Sequence, residues 1–293
     1  MSAAEVPSVR FRLPAPELRR FITAYYYVAA PDGGVEDMLH PEWANLRIAL
    51  SGRWAARVAG RDYDPAFPAA AFGPTAVGGQ VRGAGGTVLG IGLLPLGWGQ
   101  FAKAPASAFA NRCVALEEVL GETAHRLEAE LRAAQDDDAQ VAVLDRTFGG
   151  LAAAGGEPDP LCVRAHALLL DPAIGSVEAM AEGLGVSARH LSRLTLKLFG
   201  FAPKLLLRRQ RFLRTLQALQ ENPGAGSAGL IDAWYYDQSH FVRDFHHFMG
   251  MSPSRYFALP HPLLAPAAQA RMQALGASFQ GLHGVGGTEP NGV

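Results

Sequence analysis

From Arg10 to about Leu96, apolar residues come in short runs broken by Gly and Pro: Phe21–Val28, Leu46–Leu50, Trp54–Val58 and Val88–Leu94. Short runs at close spacing, rich in aromatic and branched side chains, predict the strands of a barrel or sandwich. The period then changes. Leu116, Leu120, Leu127 and Leu131 recur at helical spacing, with Glu117, Glu118, Glu122, Glu128 and Arg132 on other faces. A second helix over 139–151, with Val141, Leu144 and Phe148 as its stripe, completes a helical hairpin. Residues 152–160 (Ala-Ala-Ala-Gly-Gly-Glu-Pro-Asp-Pro) read as the clearest linker in the chain. Beyond it the pattern predicts helices at 161–170, 177–183, 188–199, 203–221, 227–233, 238–248 and 253–258. The Pro/Ala/Gly-rich end has one weak helical pattern near 264–275 and is expected to fray after Gly281. The fold expected is multidomain α and β. A β-rich sensory or dimerisation domain with C-terminal helices spans 1–155, an all-α domain spans 156–260, and 261–293 is a largely irregular tail.

Composition narrows the function classes. The chain has 293 residues, 49% of them hydrophobic and 18% charged, a globular balance. The longest uncharged stretch, Gly83–Ala102, holds seven glycines, a proline and a glutamine, so it reads as strands and turns, not as a membrane span. Met1–Leu13 lacks the apolar core of a secretory signal. Two cysteines, Cys113 and Cys162, lie far apart and suit a reducing cytoplasm. His40 and His125 are the only histidines before residue 156, too few for a clustered metal site, and no cofactor is expected. No Gly-x-Ser-x-Gly elbow or phosphate-binding glycine loop occurs, so an enzyme is not expected.

The net charge of −1 hides an uneven distribution. Residues 1–155 carry 14 Lys+Arg and 17 Asp+Glu (14 − 17 = −3); residues 156–293 carry 12 and 10 (12 − 10 = +2). Between Ser187 and Arg214 there are eight basic residues and no acid. Such a patch suggests nucleic acid. Around it, Ser176 is placed to cap one short helix, Gly185 to make a left-handed turn, and Ser187 to cap the next. Two short helices about a Gly turn make a helix-turn-helix. In its second helix, Leu191, Leu194 and Leu198 form a buried stripe, leaving Arg189, Ser192, Arg193 and Lys197 outward for base edges. The arrangement recurs at 237–250. There Phe241, Phe245 and Phe248 face inward, while Gln238, Ser239, Val242 and Arg243 face out for bases, and His246 and His247 for phosphates. The intervening helix, 19 residues or about 28 Å long, approaches the ~34 Å of one DNA turn. Ser187, Lys204, Arg208 and Arg211 complete the expected phosphate contacts.

These segments carry a family resemblance. Val177…Met180-Ala…Leu184-Gly-Val-Ser187…Leu191-Ser-Arg193, then Phe199-Gly…Pro203, resembles the first helix-turn-helix of AraC/XylS-family transcriptional regulators. Tyr235-Tyr-Asp-Gln-Ser-His-Phe241…Arg243…Phe245…Gly250-Met-Ser-Pro-Ser-Arg-Tyr256 resembles the second, more specific unit. Upstream, Gly90-Ile-Gly-Leu-Leu-Pro95…Phe101…Val114-Ala-Leu-Glu-Glu-Val-Leu-Gly121 resembles the cupin-like N-terminal domain of one subgroup. Trp234 stands where the family has the second unit's turn Gly, Gly229 where it has an aliphatic residue, and Thr195 where it has an aromatic. The leading helix of the second unit, Pro223–Leu230, is poor in helix formers.

The resemblance implies a cytoplasmic regulator that binds double-stranded DNA, controlled through its N-terminal domain by a small-molecule effector or partner. Tyr25, Tyr26, Tyr27, His40 and Trp43 are the candidate effector residues, since amphipathic aromatics often line pockets; the alternative is that they form a barrel core with a polar edge. The leucine stripe and the resemblance together suggest a homodimer, and RNA polymerase is a further candidate partner. The alternative reading is a cupin-like small-molecule-binding or catalytic protein whose helical half is only an interaction module.

Overall fold

The computed structural model describes residues 6–222, 229–276 and 278–284. Among them ten strands form two antiparallel sheets. The strands are β1 (Ser8–Arg12), β2 (Ile22–Ala30), β3 (Val35–Leu39), β4 (Asn45–Ala49), β5 (Arg53–Val58), β6 (Arg61–Tyr63), β7 (Ala69–Phe72), β8 (Gly79–Ala84), β9 (Gly86–Leu93) and β10 (Cys113–Ala115). One sheet has the order β1-β2-β9-β4-β7-β10, the other β3-β8-β5-β6. Strand alternation divides the tyrosine run of β2 between two faces. Tyr25 and Tyr27 point to the outer helices, their hydroxyls reaching Asp145 Oδ1 (2.9 Å) and the Asp137 carbonyl (3.4 Å). Tyr26 points between the sheets and lies over its partner Gly90, where any side chain would collide with the ring.

Helices α1 (Pro95–Phe101), α2 (Glu117–Leu120), α3 (Glu122–Ala133) and α4 (Asp137–Gly155) cover the outer face of the larger sheet. The helix expected along the Leu116–Leu131 stripe is broken, because Gly121 adopts a positive φ of 59° between α2 and α3. Its leucine stripe is buried against Val143, Leu144 and Phe148 of α4, inside the same chain. The expected linker is also shorter than its composition suggests. Ala152–Gly155 continue α4, and Gln100 Nε2 donates to the carbonyls of Ala152 and Gly156, both at 2.9 Å. Arg20 then holds Glu157 at 2.9 and 3.0 Å.

The C-terminal half contains α5 (Pro160–Leu170), α6 (Val177–Leu184), α7 (Ala188–Phe199), α8 (Pro203–Glu221), α9 (Gln238–Met249), α10 (Pro253–Phe257) and α11 (Leu264–Leu275). The helix expected at 227–233 lies partly outside the described residues; from Gly229 to Tyr236 the backbone makes turns. The halves share apolar cores. Trp43, Ala76 and Leu94 pack with Met180, Leu191, Phe199 and Leu206; Met38 packs with Phe212, Phe245, Phe248 and Tyr256.

After residue 260, the weak helical pattern near 264–275 is the helix α11, and the N-terminal half holds it in place. Asp37 of β3 accepts the Leu263 and Leu264 amides at 2.7 and 2.8 Å, satisfying donors at the start of α11. That helix lies against β1 and β3, the edge strands of the two sheets. Gln280 then inserts at the seam, bonding to Asn45 and to the carbonyls of Ala44 and Leu93, while Gln210 of α8 donates to the Gly281 carbonyl at 2.6 Å.

Candidate nucleic-acid interface and the adjoining cavity

Both helix-turn-helix units are built by local chemistry. Ser176 accepts the Ala179 amide at 3.0 Å to start α6, and Gly185, at φ 70°, ends it. Ser187 accepts the His190 amide at 3.2 Å to start α7. Asp237 does the same for α9 through His240 at 2.7 Å, and Gly250 (φ 70°) closes that helix. These caps satisfy donors and acceptors that helix ends leave unpaired. On α7, Leu191, Leu194, Leu198 and Phe199 are buried, which turns Arg189, Arg193 and Lys197 to solvent and leaves Ser192 half-buried. Thr195 is fully buried and donates its hydroxyl to the Ser192 carbonyl at 3.1 Å. On α9, Phe241, Phe245 and Phe248 are buried; Gln238, Ser239, Arg243, His246 and His247 are exposed and Val242 half-buried. Burial, then the neighbouring Arg208, holds the His247 imidazole below its ordinary range.

The connecting helix departs from expectation. Lys204 is exposed, but Arg208 and Arg211 hold the buried Asp244 of α9 at 2.6 and 3.3 Å, and Tyr235 donates to the same carboxylate at 2.9 Å. A carboxylate 1% exposed needs those donors. Arg208 and Arg211 therefore lock α8 to α9 through Asp244. Arg209 is buried against the N-terminal half, 3.9 Å from the Trp43 ring centre, with Nη1 donating to the Thr75 carbonyl at 2.9 Å. Burial pushes its pKa down to about 9.

Trp234, the residue that departs from the family turn, has its own work. Its indole donates to the Pro172 carbonyl at 2.9 Å and covers Gly175, tying the loop between α5 and α6 to the entry of α9. Arg211 Nη1 and the Arg214–Asp232 pair hold the same segment. Tyr236, 94% exposed just before the Asp237 cap, was not singled out by sequence reasoning, although it stands within the family signature.

Between the two sheets lies a cavity of about 140 Å³. Its walls are mostly apolar and include Val28, Trp54, Phe72 and Val88, with Tyr26, His40, Glu42, Arg47 and Arg271 as polar members. Of the expected effector residues, His40 and Tyr26 reach it. Tyr25 and Tyr27 are excluded by strand alternation, and Trp43 is buried at the seam against His166 and Phe199. His40 bonds the Tyr256 hydroxyl at 2.7 Å, and burial pushes its pKa down to about 3. Sequence reasoning missed Glu42, Arg47 and Arg271. A charge inside the apolar run Leu46-Arg-Ile48 was the one available signal; for Arg271 there was none.

A family model described as a helix-turn-helix domain matches residues 180–258. Residues 180–258 are an AraC-type helix-turn-helix domain. The chain that carries this AraC-type domain is a DNA-binding transcriptional regulator. No curated protein sequence matches. Among solved structures, ToxT from Vibrio cholerae is similar over 87% of this chain and 98% of its own, at 10% identity and a TM-score of 0.44. An unsaturated-fatty-acid-bound wild-type ToxT covers 78% and 96%, at 10% identity and TM-score 0.41. The AraC-like transcriptional activator CuxR covers 77% and 91%, at 17% identity and TM-score 0.31. Among the described residues no helix is long and apolar enough to cross a membrane.

Proposed function

We propose that this regulator reads two successive major grooves with α7 and α9 and is controlled by a small molecule in the cavity between its sheets. The observation that carries the first part is the pair Arg193 and Arg243. Each is exposed one turn into a capped helix whose opposite stripe is buried, so each side chain is aimed by its domain. Arg189, Ser192, Lys197, Gln238, Ser239 and Val242 flank them at base edges; Ser187, Lys204, His246 and His247 meet phosphates. The mostly apolar cavity with a few polar walls supports the second part. The protein acts in the cytoplasm without catalysis of its own. A homodimer and contact with RNA polymerase follow from the resemblance alone, since α4 already covers the leucine stripe that argued for a partner.

The test uses the full chain, because excising 157–260 would expose Arg209 and the core shared with Trp43 and Leu94. After selection of a bound sequence from random DNA, Arg193→Ala or Arg243→Ala is expected to cost about 1–3 kcal/mol on that site and much less on random DNA. Equal losses on both DNAs would reject base reading by that helix.

A further inference from the structure

The cavity is completed by a segment that follows the DNA-binding domain. Anchored by Asp37 at its start and by Gln280 beyond its end, α11 bridges the edge strands β1 and β3 and closes the open side between the sheets. This placement brings Arg271, only 9% exposed, into the wall, its guanidinium 4.7 Å from the Phe11 ring centre. Arg47 stands in the same wall, with Nε donating to the Tyr26 hydroxyl at 2.9 Å and Nη2 to Glu42 at 2.7 Å. After those bonds, Nη1 of Arg47 and Nη1 of Arg271 remain buried and without an acceptor among the described residues.

Two guanidinium groups and one carboxylate leave the site one positive charge in excess. Unpaired buried donors of this kind are costly, by about 1–3 kcal/mol each or more when charged. A carboxylate relieves them best, because its two oxygens match the planar donors of arginine. His40 adds no cation at neutral pH, since its imidazole is held neutral by burial. The remaining wall is mostly apolar, with Asn45, Ser278 and Gln280 as its other polar members, and therefore fits a ring or a short chain. Volume bounds the size: an engineered cavity of about 150 Å³ accommodates benzene, so a body of roughly six to ten heavy atoms fits here. A dianion or a cation would leave a charge uncompensated in an apolar space.

We infer that this cavity binds a small apolar monocarboxylate, whose carboxylate is received by Arg47 and by the Arg271 that α11 delivers. The inference rests on the reading of the cavity as the effector site and gives that site its chemical class. It also makes the C-terminal segment part of the ligand site, so occupancy and the seating of α11 are one equilibrium. Since Gln280 and Gly281 join that segment to Asn45 on one side and Gln210 of α8 on the other, the ligand gains a direct path to the DNA-binding half.

Titration calorimetry on the full-length protein with benzoate and hexanoate, against toluene and benzylamine, tests the site. Both carboxylates are expected to bind at least tenfold more tightly than toluene, and benzylamine not to bind. Arg271→Met is expected to weaken benzoate at least tenfold and toluene less than twofold. Should that variant not fold, Arg271→Gln is judged by the same ratio. Equal affinity for benzoate and toluene, preference for benzylamine, no binding of any probe, or full benzoate affinity in the Arg271 variant would each overturn the assignment. Measuring DNA affinity in parallel separates the two claims. Tight, Arg271-dependent benzoate binding that leaves DNA affinity unchanged upholds the site and rejects its regulatory role. Toluene that changes DNA affinity while benzoate fails to bind rejects the monocarboxylate and leaves regulation standing.

Discussion

Single side chains in this molecule are assigned by what they touch, and the sequence showed their faces better than their partners. The outward positions of Arg193 and Arg243 follow from helical period alone, because the buried leucine or phenylalanine stripe fixes the opposite side. Arg208 and Arg211 share a face with Lys204 by the same period, yet their partner Asp244 lies more than 30 positions away, a distance that periodicity does not span. Their roles now separate experimentally. Arg208→Ala is expected to destabilise the fold by about 1–3 kcal/mol in urea unfolding, because it strips a donor from a buried carboxylate. It should leave the salt dependence of DNA binding unchanged. Lys204→Ala is expected to do the reverse, with stability unaltered and the slope of log affinity against log salt lowered by about one. A lowered slope in Arg208→Ala would return that residue to the DNA. The tyrosine run of β2 carries the same lesson: period two divides Tyr25 and Tyr27 from Tyr26, but only the register of β2 on β9 says which side is the cavity.

Elements were legible wherever local chemistry and period agreed. The helices α6 to α10 start at Ser176, Ser187, Pro203, Asp237 and Pro253 and end at or near glycines or loop residues, as their caps require. The α11 helix gave only a weak signal, since Leu264–Leu275 is alanine-rich with no strong stripe, and what fixes it is Asp37, over 220 residues upstream. The turn segment before α9 is irregular, as its glycines predict, and outside contacts let it be so. Trp234, Arg211 and the Arg214–Asp232 pair hold it from outside, replacing the internal bonds of a helix. Restoring glycine at this place, Trp234→Gly, is therefore expected to harm the protein. It removes the bond to Pro172 and the indole cover over Gly175, so cleavage within 229–236 should accelerate in limited proteolysis. Contacts through α7 should persist while those through α9 weaken, read as loss of protection in one of two half-sites. Unchanged cleavage and protection would show that the indole holds nothing in place.

At the scale of the whole molecule, linker composition suggested two separable halves, and the packing joins them. Apolar runs and glycines reveal where elements end, but not that Trp43 and Leu94 are covered by α7 and α8, because such contacts join residues over 100 positions apart. Along this seam lie three buried histidines: His40 beside Tyr256 and Phe279, His166 beside Trp43 and Phe199, and His283 in the C-terminal segment. Burial is the first cause in each case, and it pushes their pKa values down to about 3, 3 and 4. An unfolded histidine titrates near 6.5, so between that pH and the folded values the unfolded chain binds more protons. Stability is then full above about pH 6.5 and is lost as the pH falls through 6 to 5. By pH 5 each histidine is expected to remove about 2 kcal/mol if it stays buried. Urea unfolding at pH 7.5 and 5.0 should show a midpoint that drops steeply, with both halves melting together, because all three groups sit where the halves meet. The DNA affinity of the remaining folded protein should change far less, since His40, His166 and His283 lie outside the exposed faces of α7 and α9. A midpoint that stays flat over this range would mean that the seam opens to water and the histidines titrate as free side chains do. In that case the coupling between the cavity, the C-terminal segment and α8 would lose its structural basis.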